Sequence, residues 1–458
     1  DTKNTEPLIG RPLVDEKGNP VRDEHYNYEY ITQENLGTLE GDLLLQQYNS
    51  LWRNYCISDT YEPGTVAKPF TVAGALEAGK ITGNEVYTCQ GFLEVGGHRI
   101  ACHGVHNEVS VERAIEVSCN VTMMHIAEAT GAETFAKFQN IFNFGLKTGI
   151  DSAGEARTQG LTYSADQLGS AELATNSFGQ GFNVTMIEMI SAFSSLVNGG
   201  YYYEPHLAKQ IISPGGAVMK NISPRILKQT ISASVSDKIK EYCKQVVAGP
   251  EGTGKTARPA GYMIGGKTGT AETLPRSTKK WYVVSFMGFA PVDHPQIAIY
   301  VVVDRPNAAR QDDAKFATRI VRQILTEALP YLNIPMTEPL SDEEKAELEE
   351  LKQQSLITET DSNADTEDAK DTEGTTEEGT NQSEDASPST GNTVQTGDNG
   401  EAKTQAGKSA TSSANTVSQK GNTTSAQGEN AGNGENTELG DAGALPDDIG
   451  VAGASETH

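Results

Sequence analysis

Apolar residues recur every three or four positions in three segments of the chain, which predicts three amphipathic helices. The segments are 109–130, 185–200 and 313–330. The second ends on Asn-Gly-Gly and the third on Pro330, and both endings are helix-stop signals. In the third segment we expect Phe316, Ile320, Ile324 and Ala328 to form one apolar stripe.

Three successive runs nearer the C-terminus have the pattern of strands instead. They are 262–272, 281–291 and 296–304, separated by loops that contain Pro, Gly or Asp. We expect the last two to pair antiparallel around "VDHP". Helices that precede a group of neighbouring strands favour an α+β fold, with an antiparallel sheet flanked by helices, over a doubly wound parallel sheet.

The composition changes near residue 340. From Ser341 onward the chain has 26 acidic residues and 6 lysines, with no arginine and no aromatic residue. Such a segment cannot bury enough apolar surface to offset the entropy of ordering it. We therefore predict a disordered acidic tail over 336–458, a solvated tether rather than a partner-binding segment, with helical character at 341–354. The folded domain is then 45–335, and 1–44 is a truncated N-terminal portion of the same domain.

Charge and hydropathy restrict the class of function. Most of the net charge of −26 lies in the tail, so the folded part has no basic footprint for nucleic acid. No run of 18 apolar residues and no signal peptide occur in the sequence. Because the chain begins with Asp in a polar stretch, we expect it to be the C-terminal piece of a longer protein whose membrane anchor lies upstream.

The segment "GPEGTGKT" at 249–256 fits the phosphate-loop pattern G-x-x-x-x-G-K-T. A phosphate loop follows a buried strand and opens a helix, so that backbone amides converge on phosphate. Here the preceding segment is helix-like and the following one leads into a strand. We predict no nucleotide site.

The five cysteines are Cys56, Cys89, Cys102, Cys119 and Cys243. Cys89 and Cys102 flank "QGFLEVGGHRIA", which predicts a hairpin that places the two thiols opposite each other. A disulfide, two free thiols, or a metal site with nearby histidines (His98, His103 and His106) are the alternatives. The metal site lacks a second ligand pair with the short, regular spacing typical of zinc.

Three short motifs carry the candidate chemistry. Thr65-Val66-Ala67-Lys68 begins a helix, Ser118-Cys119-Asn120 lies centrally, and Lys267-Thr268-Gly269-Thr270 lies on a predicted strand. Their order and gaps of 53 and 149 residues resemble the S-x-x-K, S-x-N and K-T-G set of penicillin-binding proteins and serine β-lactamases. The flanks "SDTYEPGTVAKPFTVAGALEAG", "ATNSFGQGFNVT" and "VVSFMGFAPVDHPQIAIYVVVDRP" resemble those of class B penicillin-binding proteins over residues 45 to 330.

This resemblance implies a serine β-lactamase-like α+β fold and a D,D-transpeptidase that cross-links peptidoglycan stem peptides and binds β-lactams. It implies no metal or organic cofactor. It also implies placement on the extracytoplasmic face of the bacterial membrane, beside a glycan-polymerising membrane protein. By the same resemblance, a further strand of the sheet should precede "DTKNTEPLIG", and no strand pattern replaces it within 1–40.

The residue types agree with acyl transfer through a covalent intermediate. A hydroxyl and a lysine three positions later project from one helix face, and a desolvated Lys68 can act as the base, so no histidine is needed. The resemblance implies proton relay by Ser118, substrate-amide binding by Asn120 and positive potential from Lys267. It further implies substrate-carboxylate binding by Thr268 and Thr270, around Gly269, and an oxyanion hole from the amides of residues 65 and 270.

Two other segments imitate these motifs. "LKTGID" at 146–151 contains K-T-G but is predicted to be a loop, and "STKK" at 277–280 lies in a polar connection. We assign the site to neither.

Thr65 stands where the family has serine. Its extra methyl stiffens χ1 and crowds attack on a carbonyl, although threonine acts as a nucleophile in other enzymes. Two alternatives therefore stay open, a working threonine enzyme and a catalytically impaired scaffold that binds cell-wall peptide. A β-lactamase is a third alternative, but we find no convincing deacylating glutamate motif.

Overall fold

The computed structural model describes residues 5–18, 20–23, 28–273, 280–346 and 348–349, all of which lie in one compact unit, Asp1–Thr372. Residues 342–346 are helical, as the sequence predicts. The rest of the predicted tail, from 350 onward, lies outside the described residues, and so does most of "STKK".

Helices and strands alternate along the described part. The α-helices are α1 (Gly41–Trp52), α2 (Tyr55–Ser58), α3 (Lys68–Glu77), α4 (Val111–Glu116), α5 (Asn120–Thr130), α6 (Ala132–Ile141), α7 (Ser170–Asn176), α8 (Met186–Val197), α9 (Ala233–Ala248) and α10 (Lys315–Tyr331). The strands are β1 (Val86–Cys89), β2 (Phe92–Val95), β3 (His98–Ala101), β4 (Asn107–Ser110), β5 (Tyr201–Tyr203), β6 (Gln210–Ile212), β7 (Val218–Asn221), β8 (Ile226–Gln229), β9 (Gly265–Glu272), β10 (Tyr282–Ala290) and β11 (Ile297–Asp304).

The three predicted C-terminal strands form the main sheet. Their order is β11-β10-β9, with both pairs antiparallel, and β9 places Lys267 opposite Met287. Successive side chains of a strand point to opposite faces. Accordingly, Phe286 packs in a cluster with Val321 and Leu325 of α10, whereas Met287 packs in the large helical cluster on the other face. The predicted α+β arrangement is confirmed.

Helix α3 lies at the centre of the helical cluster. Residues 66–75 are all buried, so the helix has no solvent-facing side along its first two turns. Helices α4, α5, α8 and α9 pack around it. The start of α3 is thus held on all sides by the core.

The prediction for the first apolar segment was partly wrong. Residues 109–110 end β4, and residues 111–130 form two helices, α4 and α5, interrupted at 117–119. Ser118 there has φ +58°, a left-handed conformation that no helix continues through. Apolar residues keep their three- and four-residue spacing across the break, so the sequence pattern concealed it.

The expected apolar stripe is present on α10 but is not the buried face of the helix. Phe316, Ile320 and Ile324 are 37%, 42% and 43% exposed, and the buried row contains Val321 and Leu325 instead. Two apolar rows run side by side on this helix, one residue apart. Spacing alone gave both the same helical period, and only the sheet decides which row is covered.

Other parts of the chain follow their predictions. Helix α8 begins at a capping box between Thr185 and Glu188. Strands β2 and β3 form the predicted hairpin. The phosphate-loop imitation at 249–256 follows α9 and precedes β9, the inverted order that the sequence suggested, and the K-T-G imitation at 146–150 has no helix or strand.

The N-terminal part builds a small cluster of its own. Leu8, Ile31, Leu39 and Tyr48 are buried together, and isolated bridges join Pro12 to Tyr30 and Val14 to Pro20. Within the described residues before Gly41, no strand longer than such a bridge occurs.

Candidate active site

The turn that carries Thr65 is pressed against the main sheet. Residues Gly64–Ala67 form a single 3-10 turn directly before α3. Gly64 has φ +63°, and a Cβ there would lie 2.5 Å from the carbonyl oxygen of Thr270 on β9. Gly179 crowds it from the opposite side, since a Cβ on Gly179 would lie 1.9 Å from Gly64 O. Only glycine fits at both contacts, so main-chain packing fixes the position of Thr65.

Ser118 and Asn120 flank the break between α4 and α5. Cys119 lies between them and caps α5, because its Sγ accepts a hydrogen bond from the backbone N–H of Thr122. Asn120 is the first residue of α5. The break therefore turns the Ser118 side chain toward α3 instead of continuing a helical surface.

Strand β9 supplies the third motif. Lys267 is fully buried and Thr268 is 4% exposed, whereas Thr270 is half-buried. A Cβ on Gly269 would lie 2.1 Å from Ser285 Oγ and 3.0 Å from Val66 Cγ1. Glycine at this position lets β9 approach the Thr65 turn.

Hydrogen bonds connect the second motif to both lysines. Lys68 Nζ donates to the carbonyl oxygen of Ser118, to Ser118 Oγ at 3.1 Å and to Asn120 Oδ1 at 2.8 Å. Lys267 Nζ donates to Ser118 Oγ at 2.9 Å and to the carbonyl oxygen of Thr268 at 3.1 Å. The hydroxyl of Ser118 thus bridges two lysine amines from separate elements.

The hydroxyl of Thr65 is oriented differently from the prediction. Thr65 Oγ1 donates to the carbonyl oxygen of Thr268 at 2.9 Å. Among the hydrogen bonds of the described residues, none joins Thr65 to Lys68, whose amine is directed to Ser118 and Asn120. Thr65 is nonetheless the only residue between 61 and 75, all of them described, that is not buried, so it faces the open side of the site.

Burial changes the protonation of the two lysines. Desolvation lowers the pKa of Lys68 from 10.5 to about 8, against a smaller opposing effect of nearby thiols. Desolvation, reinforced by the charge of Lys68, lowers the pKa of Lys267 well below its usual range. No carboxylate of the described residues forms an ion pair with either amine. The lowered pKa therefore gives Lys68 a substantial neutral fraction near pH 8, and the neutral amine is the form a general base requires.

One residue that contacts the site comes from a segment the sequence analysis set aside. Thr253, inside the phosphate-loop imitation, has its Oγ1 2.8 Å from Thr268 Oγ1. The glycine richness of that segment has a packing reason, because a Cβ on Gly252 would lie 2.3 Å from the carbonyl oxygen of Val246. No sequence signal connected Thr253 with Thr268, which lies 15 residues later.

The β2-β3 hairpin borders the site on the side of Asn120. Asn120 Nδ2 donates to the carbonyl oxygen of Ala101, and its backbone N–H donates to Cys102 Sγ, both at 3.2 Å. The ring nitrogen Nε2 of His103 donates to the carbonyl oxygen of Val117 at 3.0 Å. All five cysteines are free thiols, so of the alternatives for Cys89 and Cys102 no disulfide is formed here.

The fold brings the three motifs together in an α+β domain, with a buried lysine pair beside a hydroxyl at a helix start. Residues 23–326 match the family model described as "Penicillin binding protein transpeptidase domain". The chain belongs to this family, as a class B penicillin-binding protein transpeptidase domain.

Individual relatives agree with the family. The chain is 38% identical over 288 residues to Stage V sporulation protein D of Bacillus subtilis, covering 62% of this chain and 44% of that protein. It is 29% identical over 291 residues to the probable peptidoglycan D,D-transpeptidase PenA of Neisseria gonorrhoeae, covering 63% and 48%. The chain thus spans about half the length of these two relatives.

A solved structure has the same fold. The transpeptidase domain of penicillin-binding protein 3 from Burkholderia pseudomallei superposes with a TM-score of 0.57 at 25% identity. The superposition covers 63% of this chain and 84% of that domain. The predicted fold class is confirmed.

Within the described residues, no helix is both long enough and apolar enough to cross a bilayer.

Proposed function

We propose that this domain is a peptidoglycan D,D-transpeptidase that uses Thr65 as its nucleophile. The observation that carries the proposal is the hydroxyl of Ser118, held between the amines of Lys68 and Lys267 beside the only open residue of the 61–75 segment. The family membership and the names of the relatives support the same activity.

In the acylation step, a rotation of χ1 turns Thr65 Oγ1 from the carbonyl of Thr268 toward Lys68. The neutral amine accepts the hydroxyl proton as Oγ1 attacks the carbonyl carbon of the D-Ala-D-Ala bond. A C–O bond forms, the C–N bond breaks, and the leaving D-Ala nitrogen takes a proton through Ser118. Amides of residues 65 and 270 stabilise the negative charge on the carbonyl oxygen.

In the transfer step, an amine from a neighbouring stem peptide attacks the ester on Thr65. An amide C–N bond forms and the ester C–O bond to Thr65 breaks, while the lysines and Ser118 accept the amine's proton and return one to Thr65 Oγ1. Before acylation, Lys267, Thr268 and Thr270 bind the terminal carboxylate of the donor peptide, which departs with the released D-Ala, and Asn120 binds an amide of the donor peptide. A β-lactam enters the same site and acylates Thr65, because its ring amide replaces the scissile bond.

A catalytically impaired scaffold is the second candidate. The hydroxyl of Thr65 donates a hydrogen bond to the carbonyl oxygen of Thr268, and the β-methyl limits rotation about χ1 of Thr65. In that case the cleft still binds stem peptides but forms no ester. Either role belongs at the extracytoplasmic face of the membrane, where peptidoglycan is made, and a glycan-polymerising membrane protein would be the natural partner there.

The first test is intact-protein mass spectrometry after incubation with a reactive penicillin. We expect an adduct that maps to Thr65 and disappears in Thr65→Ala. Thr65→Ser should acylate faster, by on the order of a hundredfold, since small misplacements of a nucleophile have effects of that size. Acylation of Thr65→Ser alone would support the scaffold. Acylation of Thr65→Ala at the native rate would exclude Thr65 as the nucleophile.

A further inference from the structure

Four potential metal ligands converge beside the Ser118–Asn120 motif. The thiol sulfurs of Cys89, Cys102 and Cys119 and a ring nitrogen of His106 all lie within 4.8 Å of one another. Cys89 and Cys119 are fully buried, and the other two side chains are half-buried. We call these four residues the thiol–imidazole cluster.

The cluster is assembled from three parts of the fold. Cys89 ends β1, Cys102 follows β3 directly, and His106 precedes β4. Cys119 comes from the break between α4 and α5. In the sequence the four form C-x12-C-x3-H-x12-C, which lacks a second close pair and therefore does not look like a common zinc motif.

The distances suit a tetrahedral zinc ion. With Zn–S of about 2.3 Å and Zn–N of about 2.0 Å, a tetrahedron places sulfur and nitrogen ligands about 3.5 Å apart. His106 Nδ1 lies 3.4 Å from Cys89 Sγ and 3.7 Å from Cys102 Sγ. Two sulfur ligands would be about 3.8 Å apart. The widest separation within the cluster therefore needs to close by only about 1 Å.

The surroundings suit thiolates. Cys102 Sγ accepts a hydrogen bond from the backbone N–H of Asn120 at 3.2 Å, and Cys119 Sγ accepts one from the N–H of Thr122 at 3.5 Å. Such N–H donors orient sulfur ligands and stabilise their negative charge. No carboxylate belongs to the cluster, and three sulfurs with one imidazole select zinc over magnesium or calcium.

We propose that Cys89, Cys102, His106 and Cys119 bind one Zn²⁺ as a closed structural site. The three thiols lose their protons to solvent on binding, and His106 coordinates through Nδ1 as a neutral imidazole. With four protein ligands the ion has no open position for substrate. This inference does not rest on the proposed transpeptidase activity.

The position of Cys119 connects the proposed zinc site to the candidate active site. This residue separates Ser118 from Asn120, and Ser118 has the left-handed φ of +58°. A metal bound to Cys119 would tie this strained break to β1 and to the β2-β3 hairpin. The zinc would thereby position the side chains that hydrogen-bond Lys68.

The decisive measurement is the metal content of the purified full chain, kept reduced, by plasma mass spectrometry. We expect about one zinc per chain. A chain stripped with a chelator should bind Co²⁺ with a sulfur-to-cobalt charge-transfer band, and added Zn²⁺ should displace it. Metal-free protein with five titratable thiols and no band on cobalt addition would overturn the proposal. So would metal-free protein that has lost two thiols to a disulfide.

Variants identify the ligands. His106→Gln changes a half-buried side chain and should leave the fold intact, whereas Cys89→Ser changes a buried one. Loss of an outer-sphere partner already weakens metal binding by about 10–100-fold, so loss of a ligand should weaken zinc binding at least as much. His98→Gln and Cys56→Ser are matched controls, since both residues are exposed and lie outside the cluster. Zinc affinity equal in His106→Gln and His98→Gln would assign the metal elsewhere.

The positioning role has its own readout. Removal of zinc should lower the unfolding temperature and slow penicillin acylation, and added zinc should restore both. Equal acylation rates with and without zinc would exclude the positioning role. A chain that binds zinc yet forms no penicillin adduct at all would support the metal site while counting against the proposed function.

Discussion

The two sides of the candidate site are built by different means. On one side, Thr65 and Lys68 begin a buried helix, and Lys267 lies within a strand of the main sheet. On the other side, Ser118 and Asn120 flank a helix break. The first side is held by main-chain contacts that only glycine permits, and the second by side-chain contacts with thiols and a hairpin. Lys68 and Lys267 are thus positioned by main-chain packing, whereas Ser118 and Asn120 are positioned beside cysteine sulfurs.

The largest expected effect comes from replacing Lys68, the proposed base at the start of α3. Lys68→Met should reduce penicillin acylation by about 10²–10⁴-fold, the range attributed to general-base catalysis. The fold should persist, because the substitution replaces a buried amine with an apolar side chain of similar length. Stopped-flow or mass-spectrometric acylation rates, with circular dichroism as the control for folding, would measure this. A loss below tenfold would transfer the role of base to Lys267.

The pH dependence of acylation sharpens the same assignment. Burial lowers the pKa of Lys68 to about 8, and only the neutral amine accepts a proton. The rate constant should therefore rise about tenfold per pH unit below pH 8 and level off above it. The same lowered pKa also makes the folding stability depend on pH. A lysine with a lowered folded pKa binds fewer protons when folded, so its contribution to stability should increase from pH 8 to its unfolded value near 10.5. A flat rate profile between pH 6 and 8 would contradict Lys68 as the base.

The glycine contacts predict a smaller effect, on stability. Gly179→Ala adds a Cβ 1.9 Å from Gly64 O at φ +86°. Gly216→Ala is the matched control, since Gly216 has φ +83° and nothing within 4 Å of the added Cβ. We expect about 1 kcal/mol of destabilisation from the control and at least about 3 kcal/mol from Gly179→Ala, by denaturant unfolding. Equal destabilisation by the two substitutions would mean that the Thr65 turn can shift and is not fixed by these glycine contacts.

The smallest expected effect distinguishes the backbone strain at Ser118 from the role of its hydroxyl. Ser118→Gly and Ser118→Ala both remove the hydroxyl, but glycine adopts φ +58° without the Cβ penalty. Ser118→Gly should therefore be more stable than Ser118→Ala by about 1 kcal/mol, while both slow acylation alike. If the two variants had equal stability, the break would carry no strain.

The sequence predicted the first side better than the second. The runs 262–272, 281–291 and 296–304 are separated by loops that contain Pro, Gly or Asp, so β9, β10 and β11 and the location of Lys267 on a strand followed from the sequence pattern. Ser118 was placed within a continuous helix, because the apolar positions of α4 and α5 keep one period across the break. The convergence of Cys119 with Cys89, Cys102 and His106 depends on tertiary contacts that no local pattern contains.

The sequence also did not predict how the side chains of the site are oriented. The i, i+3 spacing predicted that Thr65 faces Lys68, but the amine of Lys68 has three acceptors on Ser118 and Asn120 and is drawn to them. The roles assigned to individual site residues stay predictions, as do the domain boundaries at 45 and 335.

Lys68 and Lys267 are buried and form no ion pair with a carboxylate of the described residues, which has a thermodynamic consequence for any anionic ligand. A carboxylate that binds beside Lys267 favours the protonated amine, so the protein must take up protons from the buffer as the ligand binds. The number taken up equals the increase in the protonated fraction of Lys267 on binding. Calorimetric heats of binding should accordingly differ between buffers of high and low ionisation enthalpy. The size of that difference measures how many protons the site takes up, and so how much of Lys267 changes its charge.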